Sequence, residues 1–226
     1  MMRKIVYFII GILLSIVVLL TSVQIMAFNL NHFERSFERF NVPEVTGMEI
    51  DQLMYTIEDV LEYFEDERPL LNTRAIVRGQ EQEVFGERAV LHMIDVKALF
   101  IGGRIARNVG LALMLLLTGV MIIKDTKWKV HLGKTVFITA IGSFLMLLLL
   151  LLLMYVDFYK YFTYFHLIFF DNDLWILDPK TEILVQMVPE PFFYDTAVKI
   201  ILIFLGGLSV LGGLGWWSQK KYAKKP

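Results

Sequence analysis

Residues 136–156 read VFITAIGSFLMLLLLLLLMYV, with no charged side chain. About 20 apolar residues, rising about 1.5 Å each, cross a hydrocarbon core of about 30 Å. Backbone groups in lipid must pair within the segment, so such a run is a helix. Three more runs of similar length lie at about 5–27, 105–123 and 197–217. The 226-residue chain is 56% hydrophobic, more apolar than a typical soluble domain. Its mean hydropathy is +0.57. Four runs of spanning length weigh against buried helices of a soluble protein. The expected fold is an all-α membrane protein with four transmembrane helices and a small extracellular cap, α or α+β. The whole chain, 1–226, is expected to be one integral membrane domain. The first run resembles a signal peptide, but its core is too long. Ile25 also spoils the small-x-small pattern before Ala27, so an uncleaved anchor is expected.

Lysine and arginine set the expected orientation. Arg3 and Lys4 precede the first run, and Lys124, Lys127, Lys129 and Lys134 lie between the second and third. Lys220, Lys221, Lys224 and Lys225 follow the fourth. Four spans put all three groups on one side, so both termini are expected in the cytoplasm of a multi-pass protein. The cap would then come from about 28–104 and 157–196. The formal net charge of −1 predicts no nucleic-acid partner. There is no cysteine, which excludes disulfides, thiolate metal sites and a cysteine nucleophile.

Within the first cap segment, Ile50, Leu53, Met54, Ile57, Val60, Leu61 and Phe64 recur at helical spacing. Thr46 and Glu49 form a candidate capping box ahead of them, and Pro69 is expected to end the helix. The dense acids Glu58, Asp59, Glu62, Glu65, Asp66 and Glu67 read as a solvated face. Residues 74–85 read as a short hairpin around Gly79, and a new helix is expected from Glu87. Gly102-Gly103 is expected to bend the chain before the second span. In the second cap segment, Asp178-Pro179 and Pro189-Glu190-Pro191 prevent one continuous helix. The apolar residues between and after them, including Met187, Phe192 and Phe193, are expected at the membrane interface. Gly206-Gly207 and Gly212-Gly213 in the last run most simply permit close helix packing.

Four histidines are the main chemical candidates. His131 lies among lysines and reads as an ordinary surface residue. His32 follows the first span, in Asn31-His32-Phe33-Glu34, and has no assigned role. His92 lies in Leu91-His92-Met93-Ile94-Asp95-Val96-Lys97. In a helix, Asp95 at i+3 shares its face and could fix one imidazole tautomer. His166 lies in an aromatic run, Tyr161-Phe162-Thr163-Tyr164-Phe165-His166-Leu167-Ile168-Phe169-Phe170. Topology places His92 and His166 within a few turns of the same membrane surface, where two imidazoles can serve as base and acid. Structural histidines are the competing reading. No G-x-S-x-G or H-E-x-x-H occurs. A metal site from His92, His166 and Asp95 has no diagnostic spacing, so neither metal nor cofactor is expected. Arg104 and Arg107 could hold a lipid headgroup or snorkel to the interface.

His92-Met93-x-Asp95-Val96-Lys97, followed by Phe165-His166-x-Ile168-Phe169-Phe170, Trp175 and Asp178-Pro179, resembles the lipoprotein intramolecular transacylase family, Lit. The likeness covers nearly the whole chain. It implies a bacterial cell-membrane enzyme that acts on a diacylated lipoprotein among membrane lipids. The sn-2 acyl chain of the diacylglyceryl group would move to the α-amino group of the N-terminal cysteine, giving the lyso form. By motif, His92 and His166 would be the two essential histidines. Asp95 would support them, and Tyr164, Phe165, Phe169, Phe170, Asn172 and Trp175 would form the substrate pocket. His166 is expected as the base and His92, oriented by Asp95, as its partner, although the residues alone do not divide these roles. Two other readings stay open. One is a non-enzymatic membrane protein whose cap binds or senses a partner. The other is a phospholipid acyltransferase or hydrolase using the same histidines.

Overall fold

A computed structural model describes residues 2–223, so Lys224 and Lys225 lie outside the described residues. The elements run α1 (Met2–Ala27), α2 (Leu30–Arg39), α3 (Val42–Thr46), α4 (Ile50–Phe64), β1 (Arg74–Val77) and β2 (Gln80–Glu83). They continue α5 (Glu87–Lys124), α6 (Trp128–Val156), α7 (Phe158–Phe169), α8 (Ile183–Met187) and α9 (Glu190–Ala223). Helices α1, α5, α6 and α9 are long and apolar enough to cross a membrane. The chain is therefore a four-span, mostly helical membrane protein with one small sheet.

The chain divides into two compact units. One comprises the described parts of Met1–Gln24, Arg104–Val156 and Val198–Pro226. Much of its apolar surface is exposed, as helices solvated by lipid require; Leu145 is 61% and Met146 60% exposed. Contact between α6 and α9 depends on missing side chains. A methyl group added to Gly133 would lie 2.5 Å from the Gly215 carbonyl, and one on Gly212 would lie 2.8 Å from Ala140. Gly206 and Gly213 have open space instead, so only part of the predicted glycine set makes close contacts. Ser15 and Ser143 hydroxyls bond at 2.8 Å between α1 and α6.

A buried carboxylate organises one end of this unit. Asp125, 1% exposed, accepts hydrogen bonds from Tyr7 Oη at 2.9 Å and His131 Nδ1 at 2.6 Å. The Lys127 amide donates at 3.1 Å, and Arg3 pairs at 3.5 Å. His131 is thus part of a carboxylate network, contrary to the expectation of an ordinary surface residue. Arg107 donates to Gln24 of α1 and to Asn108.

The other unit comprises Ile25–Gly103 and Asp157–Ala197. Phe37, Leu53 and Ala89 are fully buried at its centre, with Val42, Met48 and Met187 beside them. Asn29 caps α2 by accepting the His32 amide at 3.2 Å. Arg78 (φ 54°) and Gly79 (φ 80°) close the β1–β2 hairpin, whose register pairs Val77 with Gln80. Two successive left-handed residues match the twist of a tight antiparallel hairpin.

Several local expectations need correction. Thr46 does not cap α4; its hydroxyl donates to the Val42 carbonyl and accepts the Met48 amide. Glu49 occupies the N-cap position without a side-chain bond. Helix α4 ends at Phe64, before Pro69, and Asp66 takes φ 67°. Asp59 is buried rather than solvated, bonded to Thr73 at 2.9 Å and paired with Arg68. Gly102-Gly103 does not interrupt α5, whose helix is continuous from Glu87. Met187 and Phe192 pack in the core of this unit instead of facing an interface, while Phe193 is 36% exposed.

Candidate functional site

The aromatic run after α6 is a separate helix. Asp157 breaks from α6 and caps α7 by accepting the Lys160 amide at 3.0 Å. One imidazole then lands on the buried side of α7, and another comes from the first turns of α5. His166 and His92 are 7% and 8% exposed, and their ring centroids are 6.1 Å apart.

Aromatic rings enclose the pair. Trp175 stacks on His166 at 4.6 Å with an interplanar angle of 27°. Phe162 meets its edge at 4.4 Å and Phe165 at 5.5 Å. Phe170 touches both imidazoles, at 5.3 Å from His92 and 5.6 Å from His166. Beside Phe170 lies a groove of about 190 Å³, lined also by Asp95, Ala98, Leu99, Phe169 and Asp171.

Hydrogen bonding distinguishes the two rings. The Phe162 carbonyl lies 2.8 Å from His166 Nδ1. A carbonyl only accepts, so Nδ1 carries the proton and a neutral His166 presents a lone pair at Nε2. Nε2 has no hydrogen-bond partner among the described residues. His92 Nδ1 is buried and likewise has none. A buried polar atom without a partner is costly, and such atoms concentrate where a ligand or reaction supplies the missing bond.

Burial holds both imidazoles neutral. It pushes the His92 pKa down to about 4; nearby His166 adds to the fall, and Asp95 opposes it. His166 is also lowered by burial, partly offset by its bond to Phe162. Asp95 acts on His92 only through its charge. Its Oδ2 accepts a hydrogen bond from Asn172 Nδ2 at 2.8 Å, and among the described residues no hydrogen bond joins it to His92, so it favours the charged ring without fixing the tautomer that the i+3 spacing predicted.

Of the predicted pocket residues, Phe165, Phe170 and Trp175 contact the histidines. Phe169 packs on Phe165 at 4.8 Å and lines the groove. Asn172 works through the loop: its main-chain carbonyl accepts Trp175 Nε1 at 3.1 Å. Tyr164 instead meets Tyr161 at 5.9 Å, beneath the Lys160 ammonium. Phe162 and Arg88 were not singled out by sequence. Each lies four residues before one of the histidines, so helical spacing was the available signal. His32 belongs to a different cluster. Its Nε2 lies 2.7 Å from Thr196 Oγ1, and its ring stacks on Phe192. Among the described residues, no group of three histidine or acidic side chains is arranged to hold a metal.

The fold is similar to that of the membrane-integral lipoprotein intramolecular transacylase Lit from Bacillus cereus. The TM-score is 0.78 at 19% identity, covering 99% of each chain. A histidine-to-alanine variant of that protein gives 0.74 at 18% identity, covering 99% of this chain and 96% of the other. No curated protein sequence matches. A family model described as lipoprotein intramolecular transacylase Lit matches residues 8–193. That match takes in both histidines, the loop bearing Trp175 and most of the four-span framework, and the chain belongs to the lipoprotein intramolecular transacylase family.

Proposed function

We propose that this transacylase moves the sn-2 acyl chain of a diacylated lipoprotein onto the α-amino group of its N-terminal cysteine, with His166 as the general base. The observation that carries this reading is the His166 tautomer. Its Nδ1–H is committed to Phe162, leaving a neutral Nε2 lone pair beside a second neutral, buried imidazole.

The α-amine has a pKa near 8 and attacks only when neutral. As its nitrogen bonds to the ester carbon, Nε2 of His166 takes an amine proton. The carbonyl oxygen gains charge, and the unpartnered Nδ1 of His92 donates to it as N–H. Collapse breaks the bond to the glyceryl oxygen, which receives the proton held by His166. One N–H and one ester C–O bond are lost, while one amide C–N and one O–H are gained. No net proton is consumed. His92 is too weakly basic to work as a resident imidazolium, so its role is a neutral hydrogen-bond donor.

Substrate and nucleophile are parts of one molecule, so confinement supplies much of the catalysis. Effective molarities for well-oriented intramolecular reactions correspond to about 7–11 kcal/mol in the best cases. Phe165, Phe170 and Trp175 provide rigid walls around the imidazoles. The basic residues Arg3, Lys4, Lys124, Lys127, Lys129, Lys134, Lys220 and Lys221 support cytoplasmic termini. The segments at 28–104 and 157–196 would then face outward.

Substrate and product are isomers, so intact mass cannot report the reaction. A synthetic diacylated lipopeptide incubated with the purified protein should lose its amine reactivity toward an N-hydroxysuccinimide ester. Fragment ions should place one acyl chain on nitrogen. An amine that stays reactive, or acyl release as free fatty acid, would defeat this reading.

A further inference from the structure

Arg88, His92 and Asp95 lie at i, i+4 and i+7 of α5 and form one stripe of that helix. The two members that flank the buried histidine both grip the loop after α7. Arg88 Nε donates to the Ile176 carbonyl at 3.2 Å, and a terminal N–H donates to the Asp173 carbonyl. The same guanidinium pairs with the Asp173 carboxylate at 3.2 Å. Asp95 accepts from Asn172 at 2.8 Å. Inside the loop, Asn172 Oδ1 accepts the Leu174 amide at 3.0 Å, and its main-chain carbonyl accepts the Trp175 indole. That indole is the ring stacked on His166.

An exposed arginine–carboxylate pair alone contributes little to stability. Arg88 differs because its planar fork also holds two main-chain carbonyls on either side of Trp175, which a point-like ammonium cannot match. Its anchor and that of Asp95 stand about 10 Å apart along the helix.

We propose that Arg88 is a positioning residue for transacylation, strapping the 171–176 loop to α5 so that Trp175 stays stacked on His166. Its hydrogen bonds and its ion pair go to the loop, at Asp173 and Ile176, and it acts through the indole. One helix face thereby sets His92 directly and the cover of His166 indirectly. The proposal rests on the reading of His166 as the base.

The test uses the full-length protein in detergent and diethyl pyrocarbonate, which carbethoxylates neutral imidazole nitrogen. Modification is counted by mass spectrometry at His166, with His131 as internal reference. Arg88→Ala should speed modification of His166 several-fold and leave His131 unchanged. Its kcat for lyso product should fall about tenfold, as expected when charge-assisted hydrogen bonds are lost. Arg88→Lys should fall between wild type and Arg88→Ala in both readouts. Trp175→Leu should give the same acceleration at His166, with no further rise when Arg88→Ala is added. An unchanged His166 rate in Arg88→Ala overturns the strap, whether or not kcat falls. If Arg88→Ala unfolds, His131 accelerates too, and Arg88→Lys decides by the same readouts. Expected His166 rates without any lyso product from wild type would leave the strap standing and defeat the transacylase mechanism.

Discussion

Asp125 with its partner His131 in one unit, and the buried pair His92 and His166 in the other, have surroundings that differ in kind. Asp125 has bonds from a tyrosine hydroxyl, an imidazole and a main-chain amide, and an arginine stands beside it. Each partner neutralises or satisfies another. His92 and His166 have no carboxylate bond, and His92 keeps a buried nitrogen without a partner. A complete network pins helices together. An incomplete one stores an unmet bond that a substrate can fill. On the proposed reading, the histidine bonded to Asp125 has a structural role, and the two that meet among Phe162, Phe170 and Trp175 are the reactive ones.

The strongest way to break this contrast is to remove an imidazole. His166→Asn or His92→Asn should cut lyso product formation by about 10³-fold, within the usual range for acid–base groups, while thermal stability changes little. Mass spectrometry of labelled N-termini reads the loss. Asp125→Ala should do the reverse. It leaves the Tyr7 hydroxyl and His131 unpartnered, so unfolding should be easier by about 2–4 kcal/mol, with activity per folded molecule near wild type. Thermal unfolding followed by intrinsic fluorescence, alongside the lipopeptide assay, separates the two effects.

The contrast also has a pH signature. His92 stays neutral in the fold down to about 4, whereas an unfolded imidazole binds a proton near 6.5. Between these values the unfolded state holds more protons, so this group lowers stability as pH falls from about 6.5 to about 4, with no further loss below. Asp125 behaves differently. Burial works against its charge, but bonds from His131, Tyr7 and the Lys127 amide outweigh burial and lower its pKa. Its stabilisation is present above the ordinary carboxylate value of 3.8 and is lost only as pH falls below that. Activity should track neither group. kcat/KM should rise about tenfold per pH unit up to about 8, where the substrate amine loses its proton, then level off. A break near 6.5 would show that the imidazoles titrate normally. The smallest effect is expected from Ser15→Ala, which removes one hydroxyl pair between spans and should cost about 0.6 kcal/mol without altering the pH profile.

The spans were legible because lipid demands long apolar helices, which leave a direct mark in sequence. The hairpin at Arg78-Gly79 was legible through its turn chemistry. The 6.1 Å meeting of His92 and His166 followed from a motif resemblance and a shared depth, not from spacing, since 74 positions separate them in sequence. The proposed division of labour was not legible, because it rests on the Phe162 carbonyl beside His166 Nδ1 and on burial. Asp95 misled for a physical reason. Spacing of i+3 brings two side chains to one face but does not choose between an imidazole and the amide of Asn172. His131 misled in the opposite way, since a histidine among lysines gives no sign of a buried aspartate six residues earlier.

The bond from His166 Nδ1 to Phe162 leaves the ring a single working nitrogen. Such a ring cannot pass a proton through itself from one side to the other, and flipping it would break its tie to α7. In the proposed reaction it must return the proton from the atom that received it. That restriction costs nothing here. In the tetrahedral intermediate the incoming nitrogen and the departing oxygen are bonded to the same carbon, so one lone pair reaches both. On that proposal the fixed imidazole is a ferry between two landings on one shore, and His92 is free of proton traffic.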